Sequence, residues 1–261
     1  ACAMDHLSLS RLGKPKSGLQ PAGRTDSLFC YIFRHHGLSH CLTFVRMPFL
    51  SEFNLPSPEQ RVHWPLAEAK GVEVWFKRDD LIHPDISGNK WRKLVYNVQQ
   101  VNDEGHTGLV TFGGAFSNHI AATAHAGKLH GIKTVGIIRG EEADFENPTL
   151  RKARQNGMVL QPISREAYAN KTNPDFLEQL QRQYPDYLIV PEGGANLNGV
   201  LGCMDLLKEV EQEVDVVACP IGTATTFTGL VASAGEGRSV LGFPAVKGGA
   251  YLRADVNNFL N

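Results

Sequence analysis

Two lysines, Lys90 and Lys93, carry the first chemistry legible in this chain. They stand in Ser87-Gly88-Asn89-Lys90-Trp91-Arg92-Lys93-Leu94, where a loop turns into a stretch of helical period. Three residues apart, their ammonium groups share one face at the positive end of a helix, a place for an anion or an electrophile. Like charges this close repel, which lowers the pKa of at least one and makes a nucleophilic amine; a solvated basic helix start is the plain alternative. A second run, Thr111-Phe112-Gly113-Gly114-Ala115-Phe116-Ser117-Asn118-His119, reads as a strand end, a glycine turn and a helix start whose free N–H groups suit a carboxylate or phosphate. There Ser117 is either an N-cap or a hydroxyl for a ligand, and His119 either a packed imidazole or a base.

Cys219-Pro220-Ile221-Gly222-Thr223-Ala224-Thr225-Thr226-Phe227-Thr228-Gly229 is a third such turn. Backbone N–H groups and the hydroxyls of Thr223, Thr225 and Thr226 fit around phosphate oxygens; an ordinary strand-to-helix turn with capping threonines would look the same. The lysine of a Walker A loop and a full G-x-G-x-x-G are both missing, so a nucleotide assignment is unsupported. Pro191-Glu192-Gly193-Gly194-Ala195-Asn196 is a fourth turn, suited to close packing against a ligand or simply to a bend.

The elements that must position these turns are short β-rich runs alternating with helical stretches, an α/β pattern. The runs lie at 72–76, 109–112, 134–138, 158–160, 187–190, 215–219 and 239–243. Most are continuously apolar, as parallel strands covered on both faces require. Trp91, Leu94, Val95, Val98 and Val101 follow helical spacing, Asn147-Pro148 reads as an N-cap with proline at the first helical position, and Leu197 to Val210 gives a further helix. The expectation is a doubly wound, mostly parallel α/β fold with ligands at the carboxyl ends of the strands.

Length and composition narrow the function. The 261 residues allow one large domain or two small ones. A net charge of −1, from 26 basic against 27 acidic residues, gives no electrostatic reason to bind nucleic acid or anionic lipid. No apolar run approaches the roughly 20 residues of a membrane helix. The five cysteines (2, 30, 41, 203 and 219) form no C-x-x-C pair, which argues against a disulfide framework or a zinc site and for a reducing, cytoplasmic setting.

Residues 1–46 are compositionally foreign: they carry a charge of +4 against −5 for the remainder, with three cysteines and four of the ten histidines. They read as a leader, either an appended or wrongly translated upstream stretch with Met47 as the natural start or an organelle transit segment. The spacing of His35, His36, His40 and Cys41 has no metal-site logic, and no metal is expected.

Four such loops at successive strand ends, one with a lysine pair and one with a phosphate nest, describe a pyridoxal 5′-phosphate (PLP) enzyme better than any other cofactor class. Phe76-Lys77-Arg78-Asp79-Asp80, Ser87-Gly88-Asn89-Lys90 with Arg92-Lys93-Leu94, Gly113-Gly114 with Ser117-Asn118-His119, Pro191-Glu192-Gly193-Gly194 and Gly222-Thr223-Ala224-Thr225-Thr226 together resemble the 1-aminocyclopropane-1-carboxylate deaminase/D-cysteine desulfhydrase family. The resemblance runs in register from about Met47 to the C-terminus. It implies the fold type II architecture of PLP enzymes, with two interleaved subdomains, and a PLP-dependent catalytic domain over 47–261.

Carried over residue by residue, the resemblance makes Lys90 the Schiff-base lysine and general base, and Lys93 a phosphate contact. Asn118 is then the partner of the cofactor's ring hydroxyl. Ser117 lies over the substrate, binding its carboxylate or acting as nucleophile in the deaminase branch, and Gly222, Thr223, Ala224, Thr225 and Thr226 form the phosphate cup. The expected reaction is α,β-elimination from D-cysteine to pyruvate, ammonia and hydrogen sulfide. Deamination of 1-aminocyclopropane-1-carboxylate to 2-oxobutanoate, a catalytically silent homologue and an enzyme of L-serine derivatives are the alternatives. Family habit implies a homodimer acting on a small amino acid.

Departures bear on substrate choice. Phe116 stands where the family has Gln, Ala121 where desulfhydrase-like members have Arg, and His119 favours the desulfhydrase side. Ala224 replaces a glycine common in the phosphate cup and is expected to fit there with φ below zero. The family continues past Gly248-Gly249 with strands, substrate-facing tyrosines and a partner for the pyridine nitrogen. A C-terminally truncated member, with an unpaired sheet edge and exposed apolar surface, is therefore expected.

Overall fold

The computed structural model describes residues 52–261. The leader, the Met47 start and the histidine cluster near Cys41 lie outside the described residues. The chain builds three sheets. The central one is parallel, with strands in the order β5 (Val159–Ile163), β4 (Lys133–Arg139), β3 (Gly108–Gly113), β6 (Tyr187–Val190). All six residues of β3 are buried. Its side chains alternate between two cores. Leu109 packs with Trp91, Leu94, Val98 and Val101 of α2 (Lys90–Asp103), and with Ala122 and Ala126 of α3 (Asn118–His130). Val110 and Phe112 face the other way, against Tyr168 of α5 (Arg165–Ala169) and Leu180 of α6 (Pro174–Gln183). Cover on both faces is what makes such strands continuously apolar, so the pattern seen in the sequence has its cause here.

The remaining sheets are strand pairs. β7 (Val216–Ile221) and β8 (Ser239–Pro244) pair in parallel, with Ala218 opposite Leu241 and Pro220 opposite Phe243. One face packs on α8 (Thr225–Ser233) and α9 (Tyr251–Leu260) through Ile221, Phe227, Leu252 and Val256. The other face, which carries Val216, Ala218, Leu241 and Phe243, is exposed or only half-buried.

The run at 72–76 departs from the parallel expectation. Its strand, β2 (Val74–Lys77), pairs antiparallel with β1 (Glu59–Val62), and the short α1 (Pro65–Glu68) lies between them in the chain. The sequence Glu-Gln-Arg-Val gives β1 no apolar signal, because neither of its faces is deeply buried.

Helix boundaries follow the expected chemistry. Asn147 caps α4 (Pro148–Gln155), accepting from the N–H groups of Thr149 and Leu150. The helix expected from Leu197 is α7 (Leu197–Lys208), capped by Asn196. Among the described residues no helix is long and apolar enough to cross a membrane.

Candidate active site

A cleft of about 360 Å³ opens at the carboxyl ends of β3, β6 and β7, within the roughly 300–1,000 Å³ of small-ligand sites. Three helices start on its wall. At α2, Lys90 is half-buried and donates 2.6 Å to Asn89 Oδ1, while Asn89 Nδ2 donates 2.9 Å to Thr226 Oγ1. Lys93, one turn on, is buried and donates 3.1 Å to Thr223 Oγ1.

Burial lowers the pKa of Lys90. Burial first, and the neighbouring Lys90 to a lesser degree, brings Lys93 down to about 8. The expectation that mutual repulsion is the main cause is thereby corrected: desolvation of the ammonium groups dominates. Both amines therefore give up their protons more readily than an exposed lysine, as a nucleophile requires.

At α3, Ser117 is an N-cap: its Oγ accepts from Ile120 N at 3.3 Å. Its hydroxyl proton has no acceptor among the described residues, so capping and ligand binding do not exclude each other. Asn118 begins the helix and lines the same wall. His119 is the packed imidazole of the two readings. Thr111 gives its one hydroxyl proton to Val190 O at 2.9 Å, so its oxygen accepts from His119 Nε2–H, also at 2.9 Å. Burial, with Lys90 and Lys93 beside it, pushes His119 down to about 3. It is a neutral imidazole, unsuited to act as a base at neutral pH.

At α8 the turn is built differently. Ala224, the N-cap, has φ 53° and ψ −32° and is the only positive-φ residue other than glycine among the described residues. This corrects the expectation of a φ below zero. The alanine occupies a glycine-type conformation and bears the strain. Thr225 Oγ1 donates 2.9 Å to Thr223 O and contacts Thr223 Oγ1 at 3.2 Å. Thr225 is fully buried and does not line the cleft. Thr226 does line it, and its hydroxyl proton has no acceptor among the described residues. Around one cleft the structure gathers Lys90, Lys93, Ser117, Asn118, Gly222, Thr223, Ala224 and Thr226; Thr225 instead buttresses the turn from behind.

Two cleft residues were not singled out individually by the sequence. Asn89 bridges the Lys90 amine and the Thr226 turn, and its place inside the Ser-Gly-Asn-Lys run was the available signal. Glu192, the one carboxylate lining the cleft among the described residues, is held by Lys171 at 3.5 Å. Gly193 beside it has φ 69°, and a side chain there would meet Thr223 Cγ2 at 3.1 Å.

These features fit a phosphate ester with an aldehyde. Thr225 N–H is already given to Thr223 O; the next N–H groups of α8, at Thr226 and Phe227, together with the Thr226 hydroxyl and Lys93, offer donors to phosphate oxygens. Lys90 offers an amine within the same cleft. The fold and the cleft thus define an α/β enzyme of the PLP-binding kind. The chain belongs to the pyridoxal-phosphate dependent enzyme family, whose model matches residues 58–248.

Among curated relatives, a putative 1-aminocyclopropane-1-carboxylate deaminase of Thermotoga maritima is 30% identical over 193 residues, covering 68% of this chain and 58% of the relative. A mitochondrial bifunctional D-cysteine desulfhydrase/1-aminocyclopropane-1-carboxylate deaminase of Arabidopsis thaliana is 30% identical over 217 residues, covering 79% and 52%. The crystal structure of a 1-aminocyclopropane-1-carboxylate (ACC) deaminase homologue superposes with a TM-score of 0.68 at 25% identity, over 80% of this chain and 66% of that one. The architecture is that of fold type II PLP enzymes. The chain spans somewhat more than half the length of these curated relatives.

Proposed function

We propose that the protein is a PLP-dependent lyase of small amino acids that converts D-cysteine and water to pyruvate, ammonia and hydrogen sulfide. The observation that carries this reading is the convergence of a desolvated lysine pair, Lys90 and Lys93, with the start of α8, which has no side-chain cap, in one cleft. When bound, PLP supplies an electron sink for a substrate joined to it through its amine. Lys90 would hold the cofactor through its aldehyde, and its amine, once free, would be the base that accepts the proton from the substrate α-carbon. Lys93 stays on the phosphate side, where its bond to Thr223 Oγ1 fixes it. Ser117 would donate to the substrate carboxylate at the positive end of α3, and Asn118, on the same wall, would hold the ring hydroxyl of the cofactor.

Deamination of 1-aminocyclopropane-1-carboxylate is the second reading. It is supported by the names of the relatives, one of which carries both activities. Ser117 would be its nucleophile candidate, though His119, too weak a base at about 3, cannot activate it. The catalytic domain is assigned to 47–261. The assembly is proposed to be a homodimer, supported by the exposed apolar side chains of β7 and β8, and the setting cytoplasmic, supported by the free Cys203 and Cys219.

The test is absorbance on addition of PLP, borohydride trapping and peptide mapping, followed by sulfide release from D-cysteine and 2-oxobutanoate release from 1-aminocyclopropane-1-carboxylate. An adduct on Lys90 with sulfide release supports the first reading. An adduct with 2-oxobutanoate alone moves the assignment to the second, and no adduct on either lysine rejects both.

A further inference from the structure

The Lys-Arg-Asp-Asp run lies outside the cleft lining, yet it reaches the segment that carries Lys90 from both sides. The Asp79 carbonyl accepts from Gly88 N at 3.1 Å, two residues before Lys90. The Asp79 carboxylate takes a two-pronged bond from Arg92, two residues after it: Nε to Oδ2 at 2.7 Å and Nη2 to Oδ1 at 2.8 Å. Arg92 is 3% exposed and is gripped a second time by Glu209 at the end of α7, at 3.0 and 2.8 Å. Ser57 closes the group, with its Oγ donating 2.7 Å to Asp79 Oδ1 and its N–H donating 3.1 Å to Glu209 Oε2. The α7 helix is pressed onto α2 at the same place, since any side chain at Gly202 would collide with Arg92 O at 1.8 Å. A planar guanidinium held by two carboxylates at its edges has no rotational freedom left, so the first turn of α2 is fixed in azimuth.

We propose that Asp79, acting through Arg92 and Gly88, is the positioning residue that aims Lys90 at the cofactor aldehyde. This rests on the reading of Lys90 as the cofactor lysine and adds the device that orients it. The geometry assigns Asp79 no contact with ligand. Its effect is on where the Lys90 amine points, through the loop whose Gly88 has φ 64° on one side and the helix turn on the other. Buried ion pairs add little net stability and are often replaceable by apolar residues of similar volume, so fixing direction is a role that burial alone would not supply.

The experiment uses the full chain with PLP, following the rate of covalent capture and mapping the borohydride-trapped adduct. Wild type, Asp79→Asn, Arg92→Lys and the apolar pair Asp79→Leu/Arg92→Met are compared, with Tm measured for each. The expected result is capture slowed by about 10- to 100-fold, the scale of an ångström-sized misplacement, with part of the adduct displaced from Lys90 to Lys93. The apolar pair leaves Glu209 without its Arg92 partner, so its Tm should fall, and its slowing should exceed what that fall explains when set against the single variants. If that pair does not fold, the two single variants decide. Wild-type rate with adduct confined to Lys90 in Asp79→Asn and Arg92→Lys overturns the proposal, as does slowing that merely tracks loss of Tm. Absence of any adduct in wild type would instead reject the cofactor assignment of Lys90.

Discussion

Helices α3 and α8 both begin on the wall of the cleft, and they begin in different ways. At α3 the backbone is relaxed, with Ser117 at φ −72° and ψ 116°, and the serine oxygen satisfies a leading N–H. At α8 the cap position is an alanine at φ 53° with no side-chain oxygen to offer. Relative to a serine or threonine cap this forgoes about 1 kcal/mol, and the conformation itself costs about 1–3 kcal/mol. Thr225 N–H turns back to Thr223 O, and the N–H groups after it have no side-chain cap, so they are left for something else. The same twist turns Thr226 toward the cleft and Thr225 into the protein. On the proposed reading, α3 is a start completed by the protein itself and α8 is one that an anion would complete.

The largest expected effect concerns the amine both starts surround. Lys90→Ala should abolish the PLP adduct while leaving the phosphate side intact, so that pyridoxine 5′-phosphate, which lacks the aldehyde, still binds. Persistent adduct mapped to Lys93 would reverse the roles of the two lysines. Next comes Lys93→Ala, which removes a charge-assisted contact worth about 1.5–3 kcal/mol. The affinity for pyridoxine 5′-phosphate should fall on the order of 10- to 100-fold. With Lys93 at about 8 in the free protein, affinity is flat just below that pH. It weakens as pH rises and the ammonium is lost, by up to about tenfold per unit. Titration calorimetry across pH reads both, and a slope that survives in Lys93→Ala would break the assignment of Lys93 as the titrating phosphate contact.

Much of this was legible beforehand because the determinants are local. All seven apolar runs became strands; for β3 and its neighbours, and for the helix face of Trp91, Leu94, Val98 and Val101, the reason is that a parallel sheet covered on both sides leaves little room for polar residues. What escaped depended on distant partners. β1 is a strand only because β2 pairs with it, so Glu59–Val62 carries no pattern of its own. The antiparallel sense of β2 is set by that same partner. Thr225 looked equivalent to Thr223 and Thr226, and only the twist at Ala224 separates them. The lysine pKa values were right in direction, but desolvation is a property of the closed cleft and has no signature in spacing.

The relaxed start of α3 sharpens the comparison through protonation. His119, its second residue, sits buried beside two lysines and near the positive helix end, so its charged form is disfavoured. Its folded pKa of about 3 lies below an unfolded value near 6.5. The stabilisation is therefore fully present above pH 6.5 and is lost as pH falls toward 3. Near pH 5 the loss should be on the order of 2 kcal/mol, read by urea unfolding, and His119→Gln should flatten that part of the profile. Ser117→Ala comes next at about 1 kcal/mol, the cost of a lost cap. If it also raises KM for D-cysteine, the free hydroxyl proton serves the substrate carboxylate; a change in stability alone confines Ser117 to capping.

Ala224→Gly carries the smallest effect and tests the comparison most directly. Glycine adopts φ 53° without the Cβ penalty. Against this stands the loss of a buried methyl packed with Ile221 and Phe227, worth about 0.8 kcal/mol, and the added freedom of glycine in the unfolded chain. The terms leave a net gain of up to about 1 kcal/mol. Bound phosphate should leave that gain unchanged. An anion completing the uncapped N–H groups favours the strained turn in both proteins equally, so the difference in Tm between wild type and Ala224→Gly should be the same with and without pyridoxine 5′-phosphate. A difference that vanishes on binding would mean that the ligand reshapes the turn, and α8 would then be completed by rearrangement rather than by an anion entering a cup already formed.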